Sequence, residues 1–172
     1  VSLSMKAEDV KPNRLAKAKY EIGHLINRLG GDRIGLIIFS GESYVQFPLT
    51  TDYSAANLFL DVVDVESVPI PGTAIGAAVQ KAMKSFNWNE PTQKVVVIIT
   101  DGENNEGDAV AQSEEAAKKG VLIYTIGMGS TAGAPIPIYD ANGRQVDFKR
   151  DRTGNVVLTK LDEATLERIA AL

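Results

Sequence analysis

Three short apolar stretches constrain the fold of this chain more than any other feature of its sequence. They are RIGLIIFS at 33–40, KVVVIIT at 94–100 and VLIYTIG at 121–127. Each is nearly continuous in apolar residues and rich in β-branched side chains, which is typical of strands buried on both faces of a sheet. Helical patterns lie between them. This alternation predicts an α/β, three-layer, doubly wound domain with a mostly parallel sheet.

The segments between and after these strands place apolar residues at helical spacing. The predicted helices cover 13–29, 54–63, 73–86, 108–119 and 162–172. Asn13, Asp108 and Asp162 are the residue types that cap helix N-termini, and glycines at 30–31 and at 120 are typical helix ends.

Two segments depart from the alternation. The turn GES at 41–43 leads from the first apolar strand into YVQFPL at 44–49, which we expect Pro48 to end, so an antiparallel edge hairpin is predicted. Residues 133–161 carry the turn signals Asn142-Gly143 and Gly154-Asn155 and predict a β-ribbon insertion, which we expect to be a surface for a partner. Residues 1–172 as a whole are predicted to form one domain.

Composition excludes several classes of function. The chain of 172 residues has a net charge of −4, which disfavours nucleic acid as a partner. It has no cysteine, so disulfides, thiolate zinc sites and thiol nucleophiles are excluded. Its longest strongly apolar run, VVVII, is far shorter than the roughly 20 residues of a membrane-spanning helix. We therefore expect these residues to be soluble and to make no membrane contact of their own.

Side chains that carry oxygen fall near the ends of the predicted strands. Asp101 directly follows the second strand, Thr73 opens a helix, and Ser2 and Ser4 precede the first helix. Ligands of doubly wound domains bind outside the carboxyl ends of the strands, so these positions are the candidates for a site. Hydroxyl and carboxylate oxygens are hard ligands that suit Mg²⁺ or Mn²⁺ better than zinc.

These residues resemble the metal-ion-dependent adhesion site of von Willebrand factor A domains. That site has the pattern Asp-x-Ser-x-Ser after the first strand, a distant Thr, and a later Thr-Asp-Gly; here Ser2, Ser4, Thr73 and Asp101 match it. The resemblance places the first Asp of the pattern, and the central strand that carries it, before Val1. It also places a last edge strand after the final helix. We therefore expect a domain truncated at both ends, whose metal site is incomplete without that Asp.

Further stretches resemble the aerotolerance (Bat) proteins of bacteria, most closely the B member. They are MKAEDVKPNRL, PLTTDY, PGTAIG, TDGENNEGD and YTIGMG. The resemblance implies a protein anchored in the bacterial inner membrane, with this domain on the periplasmic side. Sister Bat proteins and a MoxR-type AAA+ ATPase are the implied partners. The implied activity is recognition without catalysis: a bound cation keeps one position open, and an Asp or Glu of a protein partner fills it.

Other interpretations remain open at this level. The glycines of GMGSTAG at 127–133 suggest a nucleotide-binding loop, although Ala134-Pro135 follows where a helix would be needed. Asp101 suggests a metal-dependent hydrolase, although no second carboxylate is evident at a strand end. The candidates also have ordinary structural roles: turn residues for Ser2 and Ser4, an N-cap for Thr73, and an Asx-turn for Asp101. The acidic stretch 103–108 is predicted to be a solvated loop and helix start.

Overall fold

The computed structural model describes residues 1–104 and 107–172; Asn105 and Glu106 of the acidic stretch lie outside the described residues. The helices within these ranges are α1 Arg14–Ile26, α2 Tyr53–Asp61, α3 Ile75–Ser85, α4 Ala109–Lys118 and α5 Glu163–Ala170. The strands are β1 Ile34–Phe39, β2 Ser43–Thr50, β3 Lys94–Thr100, β4 Val121–Gly127, β5 Ala134–Pro135, β6 Pro137–Tyr139, β7 Gln145–Phe148 and β8 Leu158–Thr159.

Strands β1 and β2 form the predicted antiparallel hairpin. Ile34 lies opposite Thr50 and Phe39 opposite Ser43, with register shifts on either side of Leu36. The prediction that Pro48 ends β2 was wrong, since the strand continues to Thr50. A proline is tolerated within an edge strand because its missing N–H leaves no central ladder bond broken, and the register shifts occur beside it.

Strands β3 and β4 are parallel and pair residue for residue, from Lys94 opposite Val121 to Thr100 opposite Gly127. Helix α4 makes the crossover between them, as a parallel pair requires. Both strands therefore end at the same edge, and Asp101 follows β3 directly at that edge. This is the arrangement that the alternation of strand and helix patterns predicts.

The two strand pairs are separate sheets in the part of the chain that the structure describes. A cleft of about 640 Å³ lies between them, and both β1 and β3 line it. The prediction that β1, β3 and β4 are buried on both faces was wrong: in β1 only Ile38 is buried, in β3 Val95 is 43% exposed, and in β4 Tyr124 is 56% exposed. On the side away from its paired strand, each of β1 and β3 meets the cleft and not a second strand of the described residues.

One face of the β3–β4 sheet carries the main core. Helices α3, α4 and α5 cover it, and the buried side chains there are Ile75, Val79, Ile98, Ala109, Ala116, Val121 and Ile169. The other face, which we call the open face, exposes large apolar side chains; they are Val95, Val97, Leu122, Tyr124 and Ile126. These five side chains belong to alternating positions, as expected for one face of a pleated sheet.

Three predicted helix caps are confirmed. The side chains of Asn13, Asp108 and Asp162 each accept a hydrogen bond from the backbone N–H three residues later. Helix α1 ends at Ile26, earlier than predicted, because the next residues continue in a tighter turn; for example, the N–H of Leu29 donates to the carbonyl of Ile26 at 3.2 Å. None of the described helices is long and apolar enough to cross a membrane.

The segment after β4 forms two short antiparallel pairs, β5 with β8 and β6 with β7. The Asn142-Gly143 turn joins β6 to β7, and the carboxylate of Asp140 accepts the N–H groups of Asn142 and Arg144 across it, both at 2.9 Å. This ribbon returns the chain to Thr159, the last residue of β8, whose exposed fraction is only 2%. Its far end therefore reaches the interior of the domain beside Asp101.

Candidate metal site

The two serines bring their hydroxyls together. Ser2 and Ser4 flank the start of a single 3₁₀ turn, Leu3–Lys6, and their Oγ atoms are 2.6 Å apart. The N–H of Met5 donates to the carbonyl of Ser2 at 3.0 Å, and the buried Met5 side chain packs with Ala18 and Met128. The turn is thus held by its own hydrogen bonds and by the packing of Met5, and this arrangement keeps the Oγ atoms of Ser2 and Ser4 side by side.

Thr73 lies just before α3, but it is not the N-cap. That position is Ala74, which makes no side-chain cap, so the predicted capping role of Thr73 was wrong. The N–H of Ala74 donates instead to the carbonyl of Ser40 at 2.8 Å, which ties the segment to the end of β1. The Asn104 side chain accepts from the N–H of Ile75 at 3.3 Å. The Thr73 hydroxyl is left without a partner among the described residues.

Asp101 is the most deeply placed of the four candidates, with an exposed fraction of 1%. Its Oδ2 accepts from Nη1 of Arg14 at 3.2 Å and from the Thr159 hydroxyl at 3.4 Å. No described residue donates to Oδ1. The backbone is fixed as well: the Asp162 N–H donates to the Asp101 carbonyl at 2.8 Å. The adjacent Gly102 has a φ of +79°, where a Cβ would lie 2.6 Å from the carbonyl oxygen of Asp162.

Ser2, Thr73 and Asp101 line the same cleft, and Ser4 joins them through its contact with Ser2. Among the described residues, every buried side-chain nitrogen and oxygen has a hydrogen-bond partner. The Thr73 hydroxyl and Asp101 Oδ1 have no partner among the described residues, and both residues line the cleft. The structure thus places three of the four candidates on one cleft, and their hydroxyl and carboxylate oxygens are of the kind that a hard divalent cation prefers.

Carboxylates alone do not make this site. Within 1–104 and 107–172 there is no group of three or more His, Cys, Asp or Glu side chains placed to share a metal ion. A cation here would be held mostly by neutral hydroxyls and by the single carboxylate of Asp101. Such a donor set neutralises little of the charge of a divalent ion, so the ion would keep a strong preference for an additional anion.

Sequence reasoning missed three residues beside Asp101: Arg14, Asp9 and Thr159. Arg14 is fully buried and its Nη2 lies 2.8 Å from Oδ2 of Asp9. Hydrogen bonds from this guanidinium, with a further one from the N–H of Ser130, hold the pKa of Asp9 below its ordinary value. A signal was present, since Arg14 lies on the buried stripe of α1, four residues before Ala18, where an unpaired charge is not tolerated.

A von Willebrand factor type A domain model matches residues 2–149, which is most of the chain. The chain belongs to this family. The range that matches the von Willebrand factor type A (VWA) model begins at the serine turn and includes Thr73 and Asp101. The fold class predicted from the strand and helix alternation is confirmed with it.

The likeness of this VWA domain to the Bat proteins is confirmed by two solved structures. An aerotolerance-related membrane protein from Bacteroides fragilis is 44% identical, with a TM-score of 0.93 over 99% of this chain and 82% of that one. The conserved hypothetical protein BatB from Bacteroides thetaiotaomicron is 42% identical, with the same TM-score and coverage.

More distant relatives share the domain. An uncharacterized protein of Borreliella burgdorferi is 31% identical over 76% of this chain, which corresponds to 39% of that protein. The chain spans about two fifths to half the length of the curated relatives it matches. Proximal thread matrix protein 1 of the mussel byssus, solved with zinc in its MIDAS motif, is 26% identical with a TM-score of 0.64, over 75% of this chain and 34% of that one.

The two alternatives gain nothing from the geometry. After β4 the chain passes Gly127 and Gly129 and enters β5, so no helix N-terminus follows these glycines to receive a pyrophosphate. A second carboxylate does lie near Asp101, but both oxygens of Asp9 are occupied by the Arg14 guanidinium, at 2.9 and 2.8 Å. Both oxygens of Asp9 are thus engaged in the ion pair with Arg14.

Proposed function

We propose that Ser2, Ser4, Thr73 and Asp101 hold a Mg²⁺ or Mn²⁺ ion and that the ion recognises a carboxylate of a protein partner. The domain then works as a metal-dependent binding module and not as an enzyme. The observation that carries the proposal is the state of Asp101: one carboxylate oxygen accepts hydrogen bonds from Arg14 and Thr159, no described residue donates to the other, and Asp101 and Thr73 line the same cleft.

The electrostatics support recognition of an acid. The candidate ligands carry one formal charge between them, so a divalent ion would remain electropositive after binding. In a cleft with mainly apolar walls, that residual charge acts at low effective dielectric and favours a further anionic ligand. An Asp or Glu side chain presented by a partner would complete the coordination.

The first experiment titrates Mn²⁺ into the purified protein and into its Asp101→Asn variant and measures the two affinities by calorimetry. We expect the substitution to weaken Mn²⁺ binding at least tenfold, because it removes the charge from the one carboxylate among the four proposed ligands. Asp108→Asn is the matched control: it removes an equal charge nearby, yet asparagine still caps α4. Equal Mn²⁺ affinity in the unmodified protein and Asp101→Asn contradicts the proposed site.

A second measurement tests the open coordination position. Bound Mn²⁺ relaxes the protons of the water molecules it coordinates, and a carboxylate that displaces water lowers this relaxation. We expect acetate to reduce the relaxation enhancement of the Mn²⁺-loaded protein and neutral acetamide to leave it unchanged. An equal response to both compounds contradicts recognition of a carboxylate.

The likeness to the Bacteroides aerotolerance-related membrane protein supports the setting of this function. We place the domain at the bacterial inner membrane, on the periplasmic side, with sister Bat proteins and a MoxR-type AAA+ ATPase as partners. The chain contains no cysteine, so a single Cys introduced at exposed Leu58 provides a specific label. Reaction of Leu58→Cys with a membrane-impermeant maleimide in intact cells supports the periplasmic side, and protection until lysis contradicts it.

The ribbon supplies the second part of the partner proposal. Tyr139 is 39% exposed and its hydroxyl donates to Glu8, so the ribbon surface touches the loop that follows the serine turn. We propose that a partner that reaches the cation also contacts the ribbon. Paired substitutions Tyr139→Ser and Phe148→Ser are expected to weaken binding of the sister Bat domain, and unchanged binding removes the ribbon from the proposal.

A further inference from the structure

The guanidinium of Arg14 is enclosed by acceptors. It makes five hydrogen bonds: Nε and Nη2 to the two oxygens of Asp9, Nη1 to Asp101 Oδ2 and to the Thr159 hydroxyl, and Nη2 also to the Thr159 carbonyl at 3.3 Å. Arginine has five N–H donors, so its hydrogen-bonding capacity is filled. The exposed fraction of Arg14 is 0%, so the side chain is enclosed entirely by protein.

The position is unfavourable for a cation unless carboxylates surround it. Arg14 is the first residue of α1, where the partial positive charge of the helix N-terminus repels a positive side chain. Burial adds a large desolvation penalty. Asp9 and Asp101 together offset both terms, and the three side chains retain one net negative charge next to the cleft.

We propose that Arg14, together with Thr159, is a positioning residue for the cation. The two groups hold Asp101 by Oδ2 and so direct Oδ1 to the metal, while Asp9 balances the charge of Arg14 so that the cation is still attracted. This inference rests on the proposed function and adds residues that do not touch the metal. It also links the metal site to the ribbon, since Thr159 ends β8.

A positioning role and a purely electrostatic role of Arg14 predict opposite changes in metal affinity when Arg14 is lost. If only charge mattered, removing a cation near the site would tighten metal binding. If positioning dominates, the freed Asp101 carboxylate rotates and binding weakens. Thr159 separates the two effects, because its hydroxyl carries no charge and contacts both Arg14 at 3.0 Å and Asp101 at 3.4 Å.

The test measures Mn²⁺ affinity by calorimetry and thermal unfolding of the metal-free protein for three variants. Arg14→Lys keeps the charge but cannot reach all three partners, and Thr159→Val removes the hydroxyl at nearly constant volume. Both are expected to weaken Mn²⁺ binding about tenfold, as is typical when groups that orient a metal ligand are lost. Thr159→Ser, which keeps the hydroxyl, should restore the affinity.

Thr125→Val is the matched control, since the Thr125 hydroxyl donates to the carbonyl of Leu166 and does not reach Asp101. We expect it to leave the Mn²⁺ affinity unchanged. Should Arg14→Lys fail to fold, Thr159→Val decides the question alone. A lower unfolding temperature with unchanged Mn²⁺ affinity, or loss of folding in both variants, assigns a purely structural role and overturns the inference. Absence of Mn²⁺ binding by the unmodified protein instead overturns the proposed function, and this inference with it.

Discussion

The backbone of Gly129 packs directly against the guanidinium of Arg14. A Cβ added at Gly129 would lie 2.6 Å from Cζ of Arg14, and the residue has a φ of +133°. We predict that Gly129→Ala lowers the free energy of unfolding by about 2 kcal/mol or more, because both the backbone conformation and the contact are strained. Denaturant unfolding measures the change. The displaced guanidinium should also weaken Mn²⁺ binding.

Gly143→Ala is the control for backbone strain alone. Gly143 has a φ of +74°, but no atom lies within 4 Å of a Cβ added there. We expect a loss of about 1 kcal/mol and no change in Mn²⁺ affinity. Equal losses for the two alanine variants would contradict the packing role that we assign to Gly129.

Asp9 should make the free energy of unfolding of the domain depend on pH in the acidic range. The Arg14 guanidinium lowers the pKa of Asp9 in the folded protein below its usual value near 3.8. A lowered folded-state pKa stabilises the fold above the unfolded-state value, and the effect is lost as the pH falls through the folded-state pKa. Asp9→Asn should therefore reduce the free energy of unfolding by about 2 kcal/mol at pH 7, and the difference should narrow below about pH 4.

Urea unfolding at a series of pH values measures this difference. Asp52→Asn is the control, since asparagine and aspartate are equally good N-caps for α2. The stability of this variant should match that of the unmodified protein at pH 7. A deficit of Asp9→Asn that stays constant from pH 7 to pH 3 would show that the ion pair is not its source.

Thr73 and Asn104 should separate metal binding from stability. The Thr73 hydroxyl makes no cap, so Thr73→Val is expected to change the unfolding free energy of the metal-free protein by less than about 0.5 kcal/mol. It should nevertheless abolish most Mn²⁺ binding. Asn104 accepts from the N–H of Ile75, so Asn104→Ala should destabilise the metal-free protein by about 1 kcal/mol. If metal-free Thr73→Val were less stable than metal-free Asn104→Ala, Thr73 would be the residue that caps α3.

Neighbouring positions of β3 should respond differently to truncation. Ile98 is 6% exposed and belongs to the core beneath α3 and α4, whereas Val97 lies on the open face and is 37% exposed. In the 172-residue chain, Ile98→Ala should lower the free energy of unfolding by about 3 kcal/mol, and Val97→Ala by about 0.5 kcal/mol. Denaturant unfolding measures both. Similar losses would mean that the open face is not open in solution.

The sequence predicts those elements whose signals are local. Cap residues such as Asn13, the alternation of helix and strand patterns and the hairpin at 41–43 all depend on neighbours in the chain, and the structure confirms them. Burial of the strands was predicted wrongly, because an apolar run such as 94–100 shows which residues can be buried and not which neighbours cover them. Strand pairing is set by distant parts of the chain, which periodicity does not report.

The candidate site divides in the same way. Ser2, Ser4, Thr73 and Asp101 could be proposed because their residue types and order match a known pattern. The groups that orient Asp101 could not, because Arg14 and Thr159 are 145 positions apart in the chain and meet only through the ribbon. The one local sign was the presence of an arginine on an apolar helix stripe, which indicates a buried ion pair without naming its partner.

The open face also determines how solutions of the 172-residue chain should behave. Five large apolar side chains there meet water, so electrostatic repulsion between molecules is what opposes their mutual adhesion. That repulsion disappears near the isoelectric point of about 5.1. Colloidal stability should therefore be greatest well above this pH and at low salt. As the pH is lowered towards this value, concentrated samples should become turbid before dilute ones.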